Sequence, residues 1–294
     1  MTKTAWVFPG QGSQAIGMGI DLADLPTAKA KLAQAEQLLG WNVLEICQSQ
    51  DDKLSRTLYT QPSLYVIESI LADVMQERGH QPNLVAGHSL GEYVALYAAG
   101  VFDFEAGLNL VQRRAQLMDS AAGGMMAALV GFNREQLEQK LQQTDEVVLA
   151  NDNSPVQVVI SGTPTAVEEL LSQVKAKRVV RLNVSGAFHS PLMAPAAAEF
   201  QKVLESVSFT DARVPVLSNV EPLPANDGAV LKQRLQGQMT GSVRWREISM
   251  QLPAAGIENV VEIGPGKVLT GLIKRMCPDL VLKNVGSLAD LPEE

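Results

Sequence analysis

Short apolar runs alternate along the chain with longer segments in which apolar positions recur at helical spacing. The runs at residues 5–8, 83–86, 214–218 and 260–263 predict buried strands. Helical spacing is expected in six segments, at residues 28–39, 63–78, 92–99, 104–119, 194–206 and 228–238. Asp103 lies directly before the fourth of these helices and is expected to be its N-cap. This alternation predicts an α/β fold.

The pattern changes after Gly123-Gly124 and returns to the α/β alternation near residue 188. Between these points the spacing predicts the order β-α-β-β-α-β over about 60 residues, which is typical of a ferredoxin-like domain. Its expected strands are residues 125–130, 146–150, 156–161 and 179–184, its helices are 134–142 and 165–175, and its central turn is 151–155. We therefore expect a small domain at 124–187, inserted into a larger domain formed by residues 1–123 and 188–294.

Composition and charge restrict the function. The chain has 294 residues, of which 46% are hydrophobic, and a net charge of −8, which argues against general nucleic-acid binding. No apolar run approaches the roughly 18 residues that a membrane span needs. The first residues lead straight into a strand and not into a signal peptide, so we expect a cytoplasmic protein without membrane contact.

The two cysteines, Cys47 and Cys277, are far apart in the sequence, and no Cys-x-x-Cys spacing is present. This arrangement supports neither a disulfide framework nor a zinc site. Both cysteines are expected to be packing residues, and we expect no metal or cofactor.

The segment Gly87–Gly91, Gly-His-Ser-Leu-Gly, carries the strongest chemical signal in the chain. It follows a predicted strand and precedes a predicted helix, which is the context of a nucleophilic serine on a sharp turn. The flanking glycines leave room for the turn, and the helix N-terminus offers backbone N–H groups to an oxyanion. Ser89 is therefore predicted to be a nucleophile that forms an acyl-enzyme.

Three histidines are candidates for the base that such a serine requires. His80 lies at a helix end, where a solvated side chain is the default. His88 is adjacent to Ser89, and on a strained turn neighbouring side chains point apart. His189 remains, in a loop just after the predicted small domain, where it can face a cleft. No acid between Ser89 and His189 stands out as a third member, so a backbone carbonyl remains an alternative means of orienting the base.

Arg114 is distinguished from Arg113 by its position on the predicted helix 104–119. At about 100° per residue Arg114 falls within the apolar arc, whereas Arg113 lies at the polar edge. A guanidinium that faces inward needs an anionic partner. Two explanations remain open, an internal salt bridge and a clamp for a substrate carboxylate.

The loop at residues 10–15 fits Gly-x-Gly-x-x-Ala after a strand, the pattern of dinucleotide-binding sites. About 20 residues further on, however, the chain is helical and lacks the strand that ends in an acidic residue. We therefore reject a nicotinamide site. The loop is better placed to supply a backbone N–H opposite Leu90, which would complete an oxyanion hole.

Taken together, five segments closely resemble those of malonyl-CoA:acyl carrier protein transacylases, and the resemblance covers nearly the whole chain. The segments are Phe8–Gln14, Gly87–Tyr93, Arg114, Gly186–Ser190 and Glu262–Leu269. The resemblance implies an α/β-hydrolase-like large domain with an inserted ferredoxin-like small domain, in agreement with the strand order above.

The resemblance also implies roles for individual residues. Ser89 would be acylated, with His189 as its base, and Arg114 would bind the malonyl carboxylate. The backbone N–H groups of Gln11 and Leu90 would form the oxyanion hole.

Two further roles follow from the same resemblance. Gln238 would orient His189 through its backbone carbonyl, which would explain the missing acid. Phe188, in a Gly-Ala-Phe-His segment, would crowd an α-methyl group and so favour malonyl over methylmalonyl groups.

The expected activity is transfer of a malonyl group from malonyl-CoA to the phosphopantetheine thiol of acyl carrier protein, by a monomer, for fatty-acid synthesis. Two other classes share much of this pattern: a serine esterase or thioesterase, and a noncatalytic module that binds a carrier protein. Polyketide synthesis and malonate decarboxylation also remain open as the metabolic context.

Overall fold

The structure is a computed structural model that describes residues 2–293. Within that range the chain forms nine strands: β1 Thr4–Phe8, β2 Leu84–Gly87, β3 Met125–Phe132, β4 Val147–Ser154, β5 Gln157–Gly162, β6 Ala176–Arg181, β7 Val216–Leu217, β8 Asn259–Ile263 and β9 Val281–Val285. The same residues form eleven α-helices: α1 Pro26–Leu39, α2 Val43–Gln48, α3 Thr57–Glu77, α4 Gly91–Ala98, α5 Phe104–Ser120, α6 Arg134–Leu141, α7 Pro164–Gln173, α8 Ala194–Ser206, α9 Gly228–Gln236, α10 Trp245–Ala254 and α11 Val268–Ile273.

Five strands form a parallel sheet in the order β7-β2-β1-β8-β9. The central strands β1 and β2 carry continuous apolar runs, as expected for strands covered by helices on both faces, and the two faces contribute to two separate apolar clusters. Ser89 follows the carboxyl end of β2, which pairs with β1 from Ala5↔Leu84 to Phe8↔Gly87. The carboxyl edge of this sheet therefore positions the predicted nucleophile.

The other four strands form an antiparallel sheet in the order β4-β5-β3-β6. Along the chain its elements run β3-α6-β4-β5-α7-β6, which is the predicted order. One face of the sheet packs with α6 and α7 around an apolar cluster of its own. The other face contributes Met126, Ala150 and Val159 to the large cluster beside the parallel sheet.

Backbone hydrogen bonds join β4 to Val243, which lies between α9 and α10 and packs in the apolar cluster on one face of the parallel sheet. Asp152 N–H donates to the Val243 carbonyl at 2.9 Å, and Val243 N–H donates to the Ala150 carbonyl at 2.8 Å. Residues 151–154 are therefore part of a strand, and the prediction of a turn there is wrong. The polar Asn-Asp-Asn-Ser sequence obscured this part of β4, which contains two irregularities in register, between Leu149 and Asn151 and between Asp152 and Ser154.

Other differences from the predicted elements also have identifiable causes. Helix α3 begins at Thr57 and not at residue 63, so Pro62 lies inside it. The proline removes one backbone N–H donor, but the helix continues through it because it is buried along most of its length. Strand β9 and helices α2 and α10 were not predicted. Strand β9 lies at the sheet edge, where alternate residues are exposed, so it lacks the continuous apolar run of the central strands.

The predicted N-cap of α5 is confirmed, since Asp103 accepts a hydrogen bond from Ala106 N–H at 2.8 Å.

Among residues 2–293, none of the helices combines the length and the apolar character that a membrane crossing requires.

Candidate active site

Ser89 lies on a tight turn between β2 and α4, with a backbone φ of 52°. This left-handed conformation is uncommon for residues other than glycine. The glycines on either side allow the close packing: a Cβ on Gly87 would lie 1.9 Å from the Gly91 carbonyl carbon, and one on Gly91 would lie 2.0 Å from the Phe8 carbonyl oxygen. The turn therefore requires glycine at both positions and presents the serine hydroxyl beyond the sheet edge.

His189 meets Ser89 across a gap of 100 residues in the sequence. The Ser89 hydroxyl Oγ lies 2.8 Å from His189 Nε2, which is hydrogen-bonding distance. His189 also has a positive φ, 58°, in the loop before a short 3-10 helix, Pro191–Met193. The Ser190 side chain closes this loop by donating to the Ala187 carbonyl and accepting from Leu192 N–H. The two predicted residues are thus brought together, each in a strained backbone.

The other ring nitrogen of His189 faces two backbone carbonyls. Nδ1 lies 2.9 Å from the Gln238 oxygen and 3.2 Å from the Gly241 oxygen. Both are acceptors, so the proton resides on Nδ1 and the unprotonated Nε2 faces the serine hydroxyl. Burial, reinforced by the nearby Arg114 charge, lowers the pKa of His189 to about 3. The imidazole is therefore neutral at physiological pH, the state that a base must have.

Arg114 is fully buried on α5, and its guanidinium reaches the same serine. Its Nη2 donates to Ser89 Oγ at 3.0 Å and to Gln238 Oε1 at 3.1 Å, while Nη1 donates to Gln61 Oε1 at 2.8 Å. All three acceptors are neutral, and the buried Nε has no hydrogen-bond partner in the described part of the chain. None of the ion pairs among residues 2–293 involves Arg114. A buried cation with neutral partners and a spare donor is suited to an anionic ligand.

The loop of Gln11 lies against the start of α4. A Cβ on Gly10 would be 2.4 Å from the His88 carbonyl oxygen and 3.6 Å from Leu90 N, so the loop backbone approaches Leu90 closely. In the described part of the chain, neither Gln11 N–H nor Leu90 N–H donates to a protein acceptor. Both donors are thus available to an oxyanion near Ser89.

Two buried polar residues to which the sequence assigned no role, Asn219 and Glu92, stabilise the turn that carries Ser89. Asn219 accepts a hydrogen bond from Ser89 N–H at 2.7 Å and donates to the Gly87 carbonyl at 2.6 Å. Glu92 accepts from Asn219 N–H at 3.2 Å and from the Gln238 side chain at 2.7 Å. A glutamate among the apolar residues of α4 was the available signal for Glu92, whereas Asn219 carried none.

The remaining predicted residues lie around this centre. His88 turns away from the serine hydroxyl, as predicted, and its Nε2 lies 2.8 Å from Asn153 Oδ1. His80 is exposed at the end of α3. Phe188 is buried beside His189 and belongs to the large apolar cluster. Within residues 2–293 no group of three or more His, Cys, Asp or Glu side chains is arranged to hold a metal ion.

The fold and these contacts are those of an acyltransferase, and the chain belongs to the acyl transferase domain family, whose pattern it matches over residues 5–285. It is 61% identical over 289 residues to the malonyl CoA-acyl carrier protein transacylase of Synechocystis sp., covering 98% of this chain and 99% of that protein.

Solved structures agree with this assignment. The crystal structure of malonyl-CoA:ACP transacylase from Synechocystis sp. PCC 6803 superposes with a TM-score of 0.97 at 60% identity, covering 99% of both chains. A malonyl-transacylase in complex with its type II PKS acyl-carrier protein superposes with a TM-score of 0.93 at 38% identity, covering 99% of this chain and 98% of that one.

Proposed function

We propose that this protein transfers a malonyl group from malonyl-CoA to the phosphopantetheine thiol of acyl carrier protein, through a malonyl ester on Ser89. One observation carries the proposal: the Ser89 hydroxyl lies within hydrogen-bonding distance of both a neutral imidazole and a buried guanidinium that forms no ion pair with any residue from 2 to 293. The names of the similar proteins, malonyl CoA-acyl carrier protein transacylases, support the substrate and the acceptor. We assign the activity to fatty-acid synthesis.

In the first half-reaction, His189 Nε2 takes the proton of Ser89 as Oγ attacks the thioester carbonyl of malonyl-CoA. The carbonyl oxygen becomes an oxyanion, which the N–H groups of Gln11 and Leu90 stabilise. The carbon–sulfur bond then breaks, and the proton on His189 passes to the departing CoA sulfur. The products are free CoA and malonyl-Ser89.

The second half-reaction reverses these roles. His189 takes the proton of the phosphopantetheine thiol, and the thiolate attacks the ester carbonyl at the same oxyanion hole. The carbon–oxygen bond to Ser89 breaks, and Oγ regains its proton from His189. The backbone carbonyls of Gln238 and Gly241 hold the imidazole in one tautomer throughout.

Arg114 and Phe188 account for the selectivity. A malonyl group on Ser89 places its free carboxylate within reach of Arg114, whose fork geometry suits two parallel hydrogen bonds. Such a charge-assisted contact contributes about 1.5–3 kcal/mol. The ring of Phe188 restricts space beside the acyl chain and disfavours an α-methyl group.

We further propose that the parallel sheet and its helices form an α/β-hydrolase-like domain, residues 1–123 and 188–294, with a ferredoxin-like domain inserted at 124–187. The β-α-β-β-α-β order and the separate apolar cluster around α6 and α7 support this division.

The decisive experiment is to incubate the purified protein with malonyl-CoA alone and to measure the mass of the peptide that contains Ser89. We expect a malonyl adduct on Ser89, and none in Ser89→Ala. Addition of acyl carrier protein with its phosphopantetheine arm is expected to remove the adduct and to produce malonyl-acyl carrier protein.

Three results would contradict the proposal. Absence of the adduct in the fresh wild-type protein would exclude a malonyl-serine intermediate. Rapid release of free malonate without an acceptor would indicate a hydrolase. Unchanged acyl exchange in Ser89→Ala would indicate a role in binding the carrier protein without catalysis.

A further inference from the structure

Glu92 is a buried carboxylate that contacts neither the Ser89 side chain nor the His189 side chain, yet it is hydrogen-bonded to the residues that hold both. It lies in the first turn of α4 and is 1% exposed. Its Oε2 accepts from Gln238 Nε2 at 2.7 Å and from Asn219 N–H at 3.2 Å. A buried charge is retained only where such partners stabilise it, so this placement calls for an explanation.

The Gln238 side chain connects Glu92 to Arg114. Its amide oxygen accepts from Arg114 Nη2 at 3.1 Å, and its amide nitrogen donates to Glu92 and also to the Ser89 carbonyl at 2.8 Å. The positive guanidinium and the negative carboxylate lie at opposite ends of the amide, and their charges determine which end is the oxygen. The backbone oxygen of the same residue holds His189 Nδ1.

Asn219 carries the second connection, from Glu92 to the serine turn. Glu92 accepts from its backbone N–H, and its side chain holds Ser89 N–H and the Gly87 carbonyl. Because Ser89 is held at a positive φ, the turn depends on such contacts to keep its strained conformation.

We propose that ionised Glu92 is the positioning acid of this site: through Gln238 and Asn219 it keeps the Ser89 hydroxyl, the His189 imidazole and the Arg114 guanidinium in register for acyl transfer. The inference rests on the proposed acyl-serine chemistry and extends it. A serine–histidine enzyme usually has an acid that contacts the histidine directly. Here the acid does not contact the histidine; it acts through the side-chain amide and the backbone carbonyl of Gln238.

The groups around Glu92 predict a pH dependence. Burial is the largest effect and raises the pKa of Glu92 to about 7, opposed by the hydrogen bonds from Gln238 and Asn219 and by the charge of Arg114 from α5. The other titratable groups nearby are Tyr93, whose pKa burial raises, and His189, whose pKa burial lowers to about 3. Between pH 5 and 8, Glu92 is therefore the group in this cluster that changes charge, and its ionised form is lost as the pH falls.

The first test measures the nucleophilicity of Ser89 without malonyl-CoA, by the rate at which a fluorophosphonate labels the wild-type protein. With a pKa of about 7, the ionised fraction falls about tenfold from pH 8 to pH 6, and the labelling rate is expected to fall with it. A labelling rate that is constant over this range would overturn the inference, and this measurement requires no variant to fold.

The second test uses Glu92→Gln, which keeps the size of the side chain and removes the charge. We expect labelling and malonyl transfer at pH 8 to be about 10- to 100-fold slower, with most of the loss in kcat and little in KM for malonyl-CoA, and no dependence on pH between 5 and 8. The matched control is Glu68→Gln, since Glu68 is equally buried on α3 but has no hydrogen bond to the site. The control is expected to keep the wild-type pH profile.

A Glu92→Gln protein with wild-type rates and an unchanged pH profile would also overturn the inference. The two proposals are separable, because the malonyl adduct on wild-type Ser89 tests the acyl transfer, whereas fluorophosphonate labelling tests the role of Glu92 alone.

Discussion

The parallel and antiparallel sheets contribute very differently to the candidate site. The region around the parallel sheet supplies the side chains to which we assign the chemistry: Ser89, His189, Arg114 and Gln238. The antiparallel sheet contributes the edge of β4, through Asn153 against His88 and the backbone of residues 150–152 against Val243.

Strand direction explains the difference. A parallel strand ends at the sheet edge and is followed by a helix, so the turn after β2 has backbone N–H groups that no neighbouring strand uses. Leu90 N–H is such a group. In the antiparallel sheet, β4 is followed almost at once by β5, which pairs on both sides, whereas β4 is an edge strand that pairs with β5 on one side and with Val243 on the other. The turn after β2 therefore leaves N–H donors free for a substrate, whereas the edge of β4 supports the neighbouring segment through backbone hydrogen bonds.

The largest contrast between the two regions is expected from two serine substitutions. Ser89→Ala removes the nucleophile and is expected to slow malonyl transfer by about 10⁴-fold. Ser161→Ala, in β5, removes a buried hydroxyl that has no hydrogen-bond partner among residues 2–293, and the substitution is expected to leave the rate unchanged. Initial rates with acyl carrier protein as acceptor measure both. A comparable loss in Ser161→Ala would contradict the division of labour between the sheets.

Arg114→Ala tests whether the parallel-sheet region also selects the substrate. Loss of a charge-assisted contact of about 1.5–3 kcal/mol is expected to reduce malonyl transfer about 10- to 100-fold relative to acetyl transfer. Its neighbour Arg113, whose side chain donates to Gln116 at the surface, provides the control. Arg113→Ala is expected to change neither the rate of malonyl transfer nor its ratio to acetyl transfer. Equal losses for malonyl and acetyl groups would remove the carboxylate clamp from the mechanism.

Asp152→Asn tests the junction between the sheets. The Asp152 carboxylate is nearly buried and accepts from Arg134 on α6 at 2.8 Å and from Arg246 on α10 at 2.8 Å. Because both arginines are partly exposed, the expected loss in the free energy of unfolding is about 1–2 kcal/mol, measured by urea denaturation. The control is Glu168→Gln, which breaks an exposed pair with Arg181 within the antiparallel region and is expected to have no measurable effect. Equal effects of the two substitutions would mean that the junction adds no stability.

The smallest effect is expected from Asn153→Ala, at the same junction. The substitution removes the acceptor for the half-buried ring of His88, whose pKa burial lowers so that the ring is neutral. One neutral hydrogen bond contributes about 1 kcal/mol to stability, and denaturation curves are expected to show a loss of that size. A malonyl transfer rate reduced as far as in Ser89→Ala would instead place His88 in the chemistry.

Local patterns were sufficient to identify much of this site. The glycines around Ser89 and the strand–turn–helix context indicated the turn, and helical spacing distinguished the buried Arg114 from the half-exposed Arg113. The element order of the antiparallel sheet was also predicted, because its strands and helices have clear periodicity. The strand at residues 151–154 was missed because its polar residues have partners distant in the sequence: the Asp152 backbone N–H bonds to Val243, the Asp152 carboxylate to Arg246, and the Asn153 side chain to His88.

The sequence by itself determined that this chain alternates strands and helices, where the serine turn lies and which arginine faces inward, because each depends on interactions within a few residues. Only the tertiary structure decided that His189 meets Ser89, that the carbonyls of Gln238 and Gly241 hold the imidazole, and that Glu92 lies behind them. These contacts join residues 49 to 146 positions apart. Such pairs come together when the apolar clusters close around the parallel sheet, and no local spacing specifies them.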